Sequence, residues 1–122
     1  MPQHPRILLV DDDPLTCDLV ARRLERDDYR VTTAMCVDDG LRVSAEEEPD
    51  LVLLDAELVN GDAAAFARHP DDAPAAPATP IILMTGGADD PGDWQAAGLI
   101  AKPFSPDQLL ATIRAVLDRH AA

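Results

Sequence analysis

Short apolar runs alternate with longer amphipathic stretches along this chain. The runs are apolar at consecutive positions, as in strands of a parallel sheet that is buried on both faces. The stretches between several of them have helical periodicity, and this alternation predicts an α/β fold with one doubly wound, five-stranded parallel sheet. The predicted strands are residues 7–10, 29–33, 51–54, 81–84 and 99–101.

Three helices have clear boundaries in the sequence. They are predicted over residues 14 to about 27, over residues 37–48, and from Ser105 onward. The last one opens with an N-cap serine, a proline at the first helical position and Gln108 placed for a capping box. The first helix is predicted to present one face made of Thr16, Leu19, Val20, Arg23 and Leu24.

The connections on either side of the fourth predicted strand are less regular. A short helix is predicted over residues 62–68, before a loop whose prolines at 70, 74, 77 and 80 exclude regular structure. Between the fourth and fifth strands, only residues 93–97 can form a helical turn. The fourth helix of the fold is therefore expected to be shortened.

Length and charge limit the classes of function. A chain of 122 residues predicts one domain over residues 1–122, without a separate output domain. Its formal net charge of −13 argues against nucleic acid and anionic membranes as partners. Cys17 and Cys36 have no metal-ligand spacing, and no apolar run approaches membrane-spanning length. We expect a cytoplasmic location and structural roles for both cysteines.

Polar residues follow four of the five predicted strands. Asp11, Asp12 and Asp13 follow the first, Asp55 the third, Thr85 the fourth, and Lys102, which is the only lysine, the fifth. Ligands of open parallel sheets bind at the carboxyl ends of the strands, so we expect these groups to lie together. Carboxylates from different strands suit Mg²⁺, and an ammonium group suits a phosphoryl oxygen.

Four short motifs, in their order along the chain, resemble the receiver domain of bacterial two-component response regulators. They are VDDD at 10–13, LLD at 53–55, ILMTG at 82–86 and AKPF at 101–104. The resemblance covers essentially the whole chain and implies a flavodoxin-like (βα)5 fold. It also implies a phosphorelay signalling protein, not an enzyme. Such a protein receives a phosphoryl group from a histidine kinase or histidine phosphotransfer protein and signals to a separate downstream protein.

The resemblance assigns a role to each strand-end residue. Asp55 would be the phosphoacceptor, while Thr85 and Lys102 would bind the phosphoryl group. The implied Mg²⁺ ligands are Asp11, Asp12, Asp55 and the backbone carbonyl of Glu57, with Asp12 the expected direct ligand of the acidic pair.

Two neighbours of these residues have structural assignments. The peptide before Pro103 is expected to be cis, as it is in the family. Asp13 lies one position beyond the acidic pair, and we interpret it as the cap of the first helix.

The sequence also departs from the family pattern. Val59 and Ala63 stand where receivers usually have proline and glycine, and the segment from Thr85 to Lys102 is shorter than in the family. Leu99 occupies the position of the aromatic residue that usually acts with the threonine as a switch. We therefore expect the relay from Thr85 to an aromatic ring to be absent.

Two other classes of protein stay open at this point. One is a receiver-like interaction module that binds its partner without a phosphorylation cycle, which the missing aromatic at Leu99 favours. The other is a phosphatase resembling the haloacid dehalogenase superfamily, favoured by the D-x-D within VDDDP. The phosphatase is disfavoured because no acidic residue ends a strand after Lys102 and the chain is short for that fold.

Overall fold

The computed structural model describes residues 4–58, 79–86 and 97–121. Its strands are β1 (Arg6–Val10), β2 (Arg30–Ala34), β3 (Leu51–Asp55), β4 (Ile81–Thr85) and β5 (Gly98–Ala101). Its helices are α1 (Pro14–Arg26), α2 (Val37–Glu47) and α3 (Pro106–Ala121), and a 3₁₀ turn covers Ala56–Leu58. The predicted boundaries of these strands and helices are therefore correct to within one residue, and β3 and β4 extend to include Asp55 and Thr85.

The five strands form one parallel sheet in the order β2-β1-β3-β4-β5. This is the flavodoxin-like order, in which the direction of winding reverses between β1 and β3. Ligands of such sheets bind at the carboxyl ends of the strands next to that reversal. The fold therefore places Asp11, which follows β1, and Asp55, which ends β3, at its expected binding site.

Helices cover both faces of the sheet. Alternate residues of β1 point to opposite sides: Ile7 and Leu9 join the core under α1 and α3, while Leu8 and Val10 join the core under α2. All four of these side chains are almost completely buried. The doubly wound architecture predicted from the consecutive apolar runs is confirmed.

The predicted face of α1 is partly wrong. The buried residues of this helix are Cys17, Val20 and Leu24, whereas Leu19 is 58% exposed. These three buried residues are spaced three and four apart, which is the spacing of one helical face. The thiol of Cys17 takes the buried position because cysteine packs as a small apolar residue.

The helix caps agree with the sequence. Asp13 caps α1, because its carboxylate accepts hydrogen bonds from the backbone N–H of Leu15 (3.1 Å) and the hydroxyl of Thr16 (2.8 Å). Ahead of α3, the N–H of Ser105 donates to the Gln108 side chain at 3.0 Å, and the N–H of Gln108 donates to the Ser105 hydroxyl at 3.1 Å. Both predicted caps are thus confirmed.

Several predictions fall on other parts of the chain. The helix over 62–68 and nearly all of the turn over 93–97 lie outside the described residues, as do Val59 and Ala63. The shortened fourth helix therefore stays a prediction.

Leu53 is a strict test of the central packing because it is fully buried in β3. Leu53→Ala should lower the free energy of unfolding by about 2–5 kcal/mol, since it removes buried methyl groups and leaves a cavity. Leu19→Ala is the matched control, because its side chain is mostly exposed and should change stability by under about 0.5 kcal/mol. Urea unfolding measures both changes, and similar values for the two variants would contradict this packing.

Candidate functional site

The strand register brings the predicted site residues to one edge of the sheet. Val10 pairs with Leu54, so the next residues along the two strands, Asp11 and Asp55, follow side by side. Thr85 pairs with Ala101, which places Lys102 one residue beyond it. The backbone N–H of Lys102 also donates to the carbonyl of Thr85 at 2.7 Å.

Three carboxylates cluster at this edge. Within the described residues, Asp11, Asp12 and Asp55 each offer an oxygen, and these oxygens all lie within 4.8 Å of one another. Asp11 and Asp55 are buried and Asp12 is exposed. An all-oxygen set of this kind fits Mg²⁺, which prefers carboxylates and retains several waters.

Glu57 lies in the 3₁₀ turn that follows Asp55 directly. Its backbone carbonyl is therefore two residues from the buried carboxylate, at the carboxyl end of β3. That position is compatible with the predicted fourth protein ligand, and its role stays a prediction.

Lys102 bridges the two buried carboxylates. Its Nζ lies 3.2 Å from Oδ2 of Asp11 and 3.3 Å from Oδ2 of Asp55. Burial opposes the ammonium charge, but the hydrogen bond and the charges of both aspartates outweigh it, so the pKa of Lys102 is raised. Lys102 is therefore held as a cation inside the cluster, and its stabilising contribution is lost only as the pH rises through that raised pKa.

Both carboxylate oxygens of Asp11 have partners. Oδ1 accepts from the backbone N–H of Asp13 at 2.9 Å, and Oδ2 accepts from Lys102. Burial nevertheless raises the pKa of Asp11, and the charge of Asp55 acts in the same direction, against the lowering effect of these two bonds. Ionisation of Asp11 therefore lowers the free energy of unfolding, and the bonds to Asp13 and Lys102 offset this loss only in part.

Cys17 contacts the site, which the sequence did not reveal. Its thiol donates to the backbone carbonyl of Asp11, with Sγ and O 3.3 Å apart. Burial raises the pKa of this thiol, so it is protonated and able to donate at neutral pH. The sequence feature that could have indicated this contact is the spacing of Cys17, Val20 and Leu24, which is that of one helical face.

Thr85 and Leu99 were predicted to take part in switching. Thr85 is buried at the end of β4, beside the carboxylate cluster. Leu99 pairs in register with Leu83 of β4, and its side chain is 50% exposed. The structure thus places an aliphatic, half-exposed side chain at the position predicted for the aromatic, and the absence of the usual relay stays a prediction.

A cavity of about 650 Å³ opens beside the cluster, between α1 and the segment after β5. Its walls include Thr16 and Leu19 of α1, Lys102, and the apolar side chains of Phe104 and Leu109. Asp55 itself is only 2% exposed. Because Lys102 belongs to the cavity wall and also pairs with Asp55, the cavity lies next to the carboxylate cluster.

The chain is similar to proteins of one family. The model of the family described as "Response regulator receiver domain" matches residues 7–114. The DNA-binding dual master transcriptional regulator RpaA of Synechocystis is 32% identical over 120 residues, covering 94% of this chain and 50% of that protein.

Solved receiver domains have the same fold. A CheY-like response regulator receiver domain protein from Methanospirillum hungatei is 28% identical, with a TM-score of 0.82 and 96% of each chain covered. The BeF3-activated N-terminal receiver domain of Klebsiella pneumoniae RstA is 33% identical, with a TM-score of 0.76 over 92% of this chain and 97% of that one.

The length and names of the relatives affect two expectations about partners. The chain spans about half the length of the curated relatives it matches. The expectation of no nucleic-acid partner does not fit the name of RpaA, which is called DNA-binding. Separately, no helix in the described ranges is both long and apolar enough to cross a membrane.

Asp11→Asn is expected to stabilise the protein in the absence of divalent cations at neutral pH. Because the folded-state pKa of Asp11 lies above its ordinary value of 3.8, the folded protein binds that proton more tightly than the unfolded chain. Ionisation of Asp11 therefore costs folding free energy as the pH rises through this window. Asparagine retains an acceptor for the Asp13 amide and carries no charge.

Urea unfolding in a chelating buffer, at several pH values from about 4 to 8, measures the difference. The advantage of the variant should grow as the pH rises through the raised pKa and then stay constant. An advantage that shrinks with rising pH would mean that pairing with Lys102 outweighs the burial of the carboxylate.

Proposed function

This chain belongs to the response regulator receiver domain family, and we propose that it accepts a phosphoryl group on Asp55 in a Mg²⁺-dependent transfer. Receivers of this family are signalling domains of two-component systems, and they bind Mg²⁺ at their acidic site. The observation that carries the proposal for this chain is the position of Lys102, whose ammonium lies 3.3 Å from the buried carboxylate of Asp55.

Bound Mg²⁺ would supply positive charge opposite the phosphoryl oxygens. The residues that would hold it are Asp11, Asp12, Asp55 and the backbone carbonyl of Glu57. Two observations support this set: the close approach of the three carboxylates, and the exposure of Asp12, which leaves one of them accessible to a hydrated ion. Asp11 already uses both oxygens in hydrogen bonds, which favours Asp12 as the direct ligand.

The transfer would form one bond and break one bond. A carboxylate oxygen of Asp55 attacks the phosphorus of a phosphohistidine, a P–O bond forms, and the P–N bond breaks. The electron pair of that bond stays on the imidazole nitrogen. Positioning and charge neutralisation supply most of the catalysis in phosphoryl transfer.

Lys102 and Thr85 would bind the product. The ammonium of Lys102, already beside Asp55, would pair with a phosphoryl oxygen, and the Thr85 hydroxyl would add a hydrogen bond. Both residues are joined through their backbones at the site edge, which supports their acting on one group.

The phosphoryl donor would be a histidine kinase or a histidine phosphotransfer protein in the cytoplasm, and the receiver of the signal a separate protein. The DNA binding named for RpaA concerns a protein of about twice the matched length.

A phosphorylation-independent interaction module is the second candidate, favoured by the aliphatic, half-exposed Leu99. Beryllofluoride with Mg²⁺, which mimics the phosphoryl group, separates the two candidates. If phosphorylation is signalled, backbone amide resonances should shift beyond the site, in β5 and α3. Shifts confined to residues next to Asp55 would favour the module.

Asp55→Asn should abolish labelling of the protein by acetyl phosphate, because the amide lacks the nucleophilic carboxylate oxygen. Asp38→Asn, which changes an exposed aspartate of α2, should label like the unmodified protein. Intact-mass spectrometry counts the phosphoryl groups, and a chelator should suppress labelling. Labelling of Asp55→Asn with unchanged stoichiometry would exclude Asp55 as the acceptor.

A further inference from the structure

Asp11 is held by hydrogen bonds from four different parts of the fold. Its backbone N–H donates to the carbonyl of Ala34, the last residue of β2, at 3.0 Å. Its carboxylate accepts from Asp13 and from Lys102. Its backbone carbonyl accepts from the thiol of Cys17, which is the contact from α1.

We propose that Cys17 is a positioning residue for the metal site, acting through the backbone of Asp11. The proposal rests on the proposed function, because it concerns the same Mg²⁺ site. The thiol is neither one of the proposed Mg²⁺ ligands nor one of the proposed phosphoryl-binding groups. It fixes the peptide from which the Asp11 side chain extends, and it ties that peptide to the buried face of α1.

The burial of both groups gives the contact its importance. Cys17 is 6% exposed and Asp11 fully buried, so the carbonyl of Asp11 would lose its donor if the thiol were removed. A buried acceptor without a partner is costly, and the peptide would shift or admit water to satisfy it. The carbonyl that Cys17 bonds belongs to the peptide that joins Asp11 to Asp12. Since Mg²⁺ demands near-octahedral geometry, a shift of this peptide would displace Asp12, the expected direct ligand, relative to Asp55.

Cys17 is also anchored at its own backbone. Its N–H donates to the carbonyl of Asp13 at 3.0 Å, in the first turn of α1, and Asp13 in turn donates to the carboxylate of Asp11. Cys17 is thus connected to Asp11 directly through its thiol and indirectly through its backbone and Asp13. The thiol supplies the only one of these connections that a substitution can remove.

The test compares Cys17→Ala with Cys17→Ser. Alanine removes the donor, whereas serine retains a hydroxyl that can bond the same carbonyl. Cys36→Ala is the matched control, because Cys36 is exposed and its side chain makes no capping hydrogen bond. Titration of each variant of the 122-residue chain with Mg²⁺ alone in a calorimeter gives the affinity.

We expect Cys17→Ala to weaken Mg²⁺ binding by about three- to tenfold, the size expected for one hydrogen bond. Cys17→Ser and Cys36→Ala should stay within about twofold of the unmodified protein, which is inside the range of a surface substitution. Equal affinity in Cys17→Ala and the unmodified protein would overturn the proposal. So would an equal loss in the serine and alanine variants, because that result indicates packing instead of hydrogen bonding.

A second measurement needs no metal. Hydrogen exchange of the Asp11 amide, which bonds Ala34, should accelerate in Cys17→Ala and not in Cys17→Ser, while the amide of Leu53 in β3 stays protected. If the unmodified protein fails to bind Mg²⁺, the proposed function is wrong, and this exchange pattern alone decides whether Cys17 positions Asp11. Unchanged exchange at Asp11 in the alanine variant would then reject the positioning role.

Discussion

A single ammonium group between two buried carboxylates is the interaction on which this site depends. The parallel register of β1 and β3 places the carboxylates of Asp11 and Asp55 side by side, because each residue directly follows a paired position. Removing a carboxylate from water costs several kcal/mol unless it is paired. Lys102 reaches both acids because β5 ends beside β4, where the backbone of Lys102 bonds Thr85.

The ammonium of Lys102 does not balance the negative charge of the carboxylate cluster. Three carboxylates lie close together and Lys102 pairs with two of them, Asp11 and Asp55. The pKa of Asp11 is raised because its burial outweighs its bonds to Asp13 and Lys102. A site with such an excess of negative charge gives up folding stability, and a divalent cation would recover it. The same imbalance of charge would supply the driving force for the proposed binding of Mg²⁺.

The sequence predicted correctly those features that depend on residues close together along the chain. Consecutive apolar residues predicted the strands, and the residues at the strand ends predicted which side chains cluster. The caps at Asp13 and Ser105 were predictable because their side chains bond amides a few residues away. The rotation of α1 was different, because stripes containing Thr16 or Cys17 both include Val20 and Leu24. Tertiary packing chooses between them by burying the thiol against the carbonyl of Asp11, and no local pattern encodes that contact.

The residues around Lys102 limit how a conformational change at the site could be transmitted to the surface of the domain. Leu99 carries no ring that could turn inward, so we predict that its side chain does not report the position of Thr85 as an aromatic would. The connection that the structure does contain is through backbone and packing: Lys102 continues β5, and α3 packs so tightly on that strand that a Cβ at Gly98 would lie 3.3 Å from Val116. Since close-packed interiors transmit strain, a displacement of β5 has to be accommodated by α3.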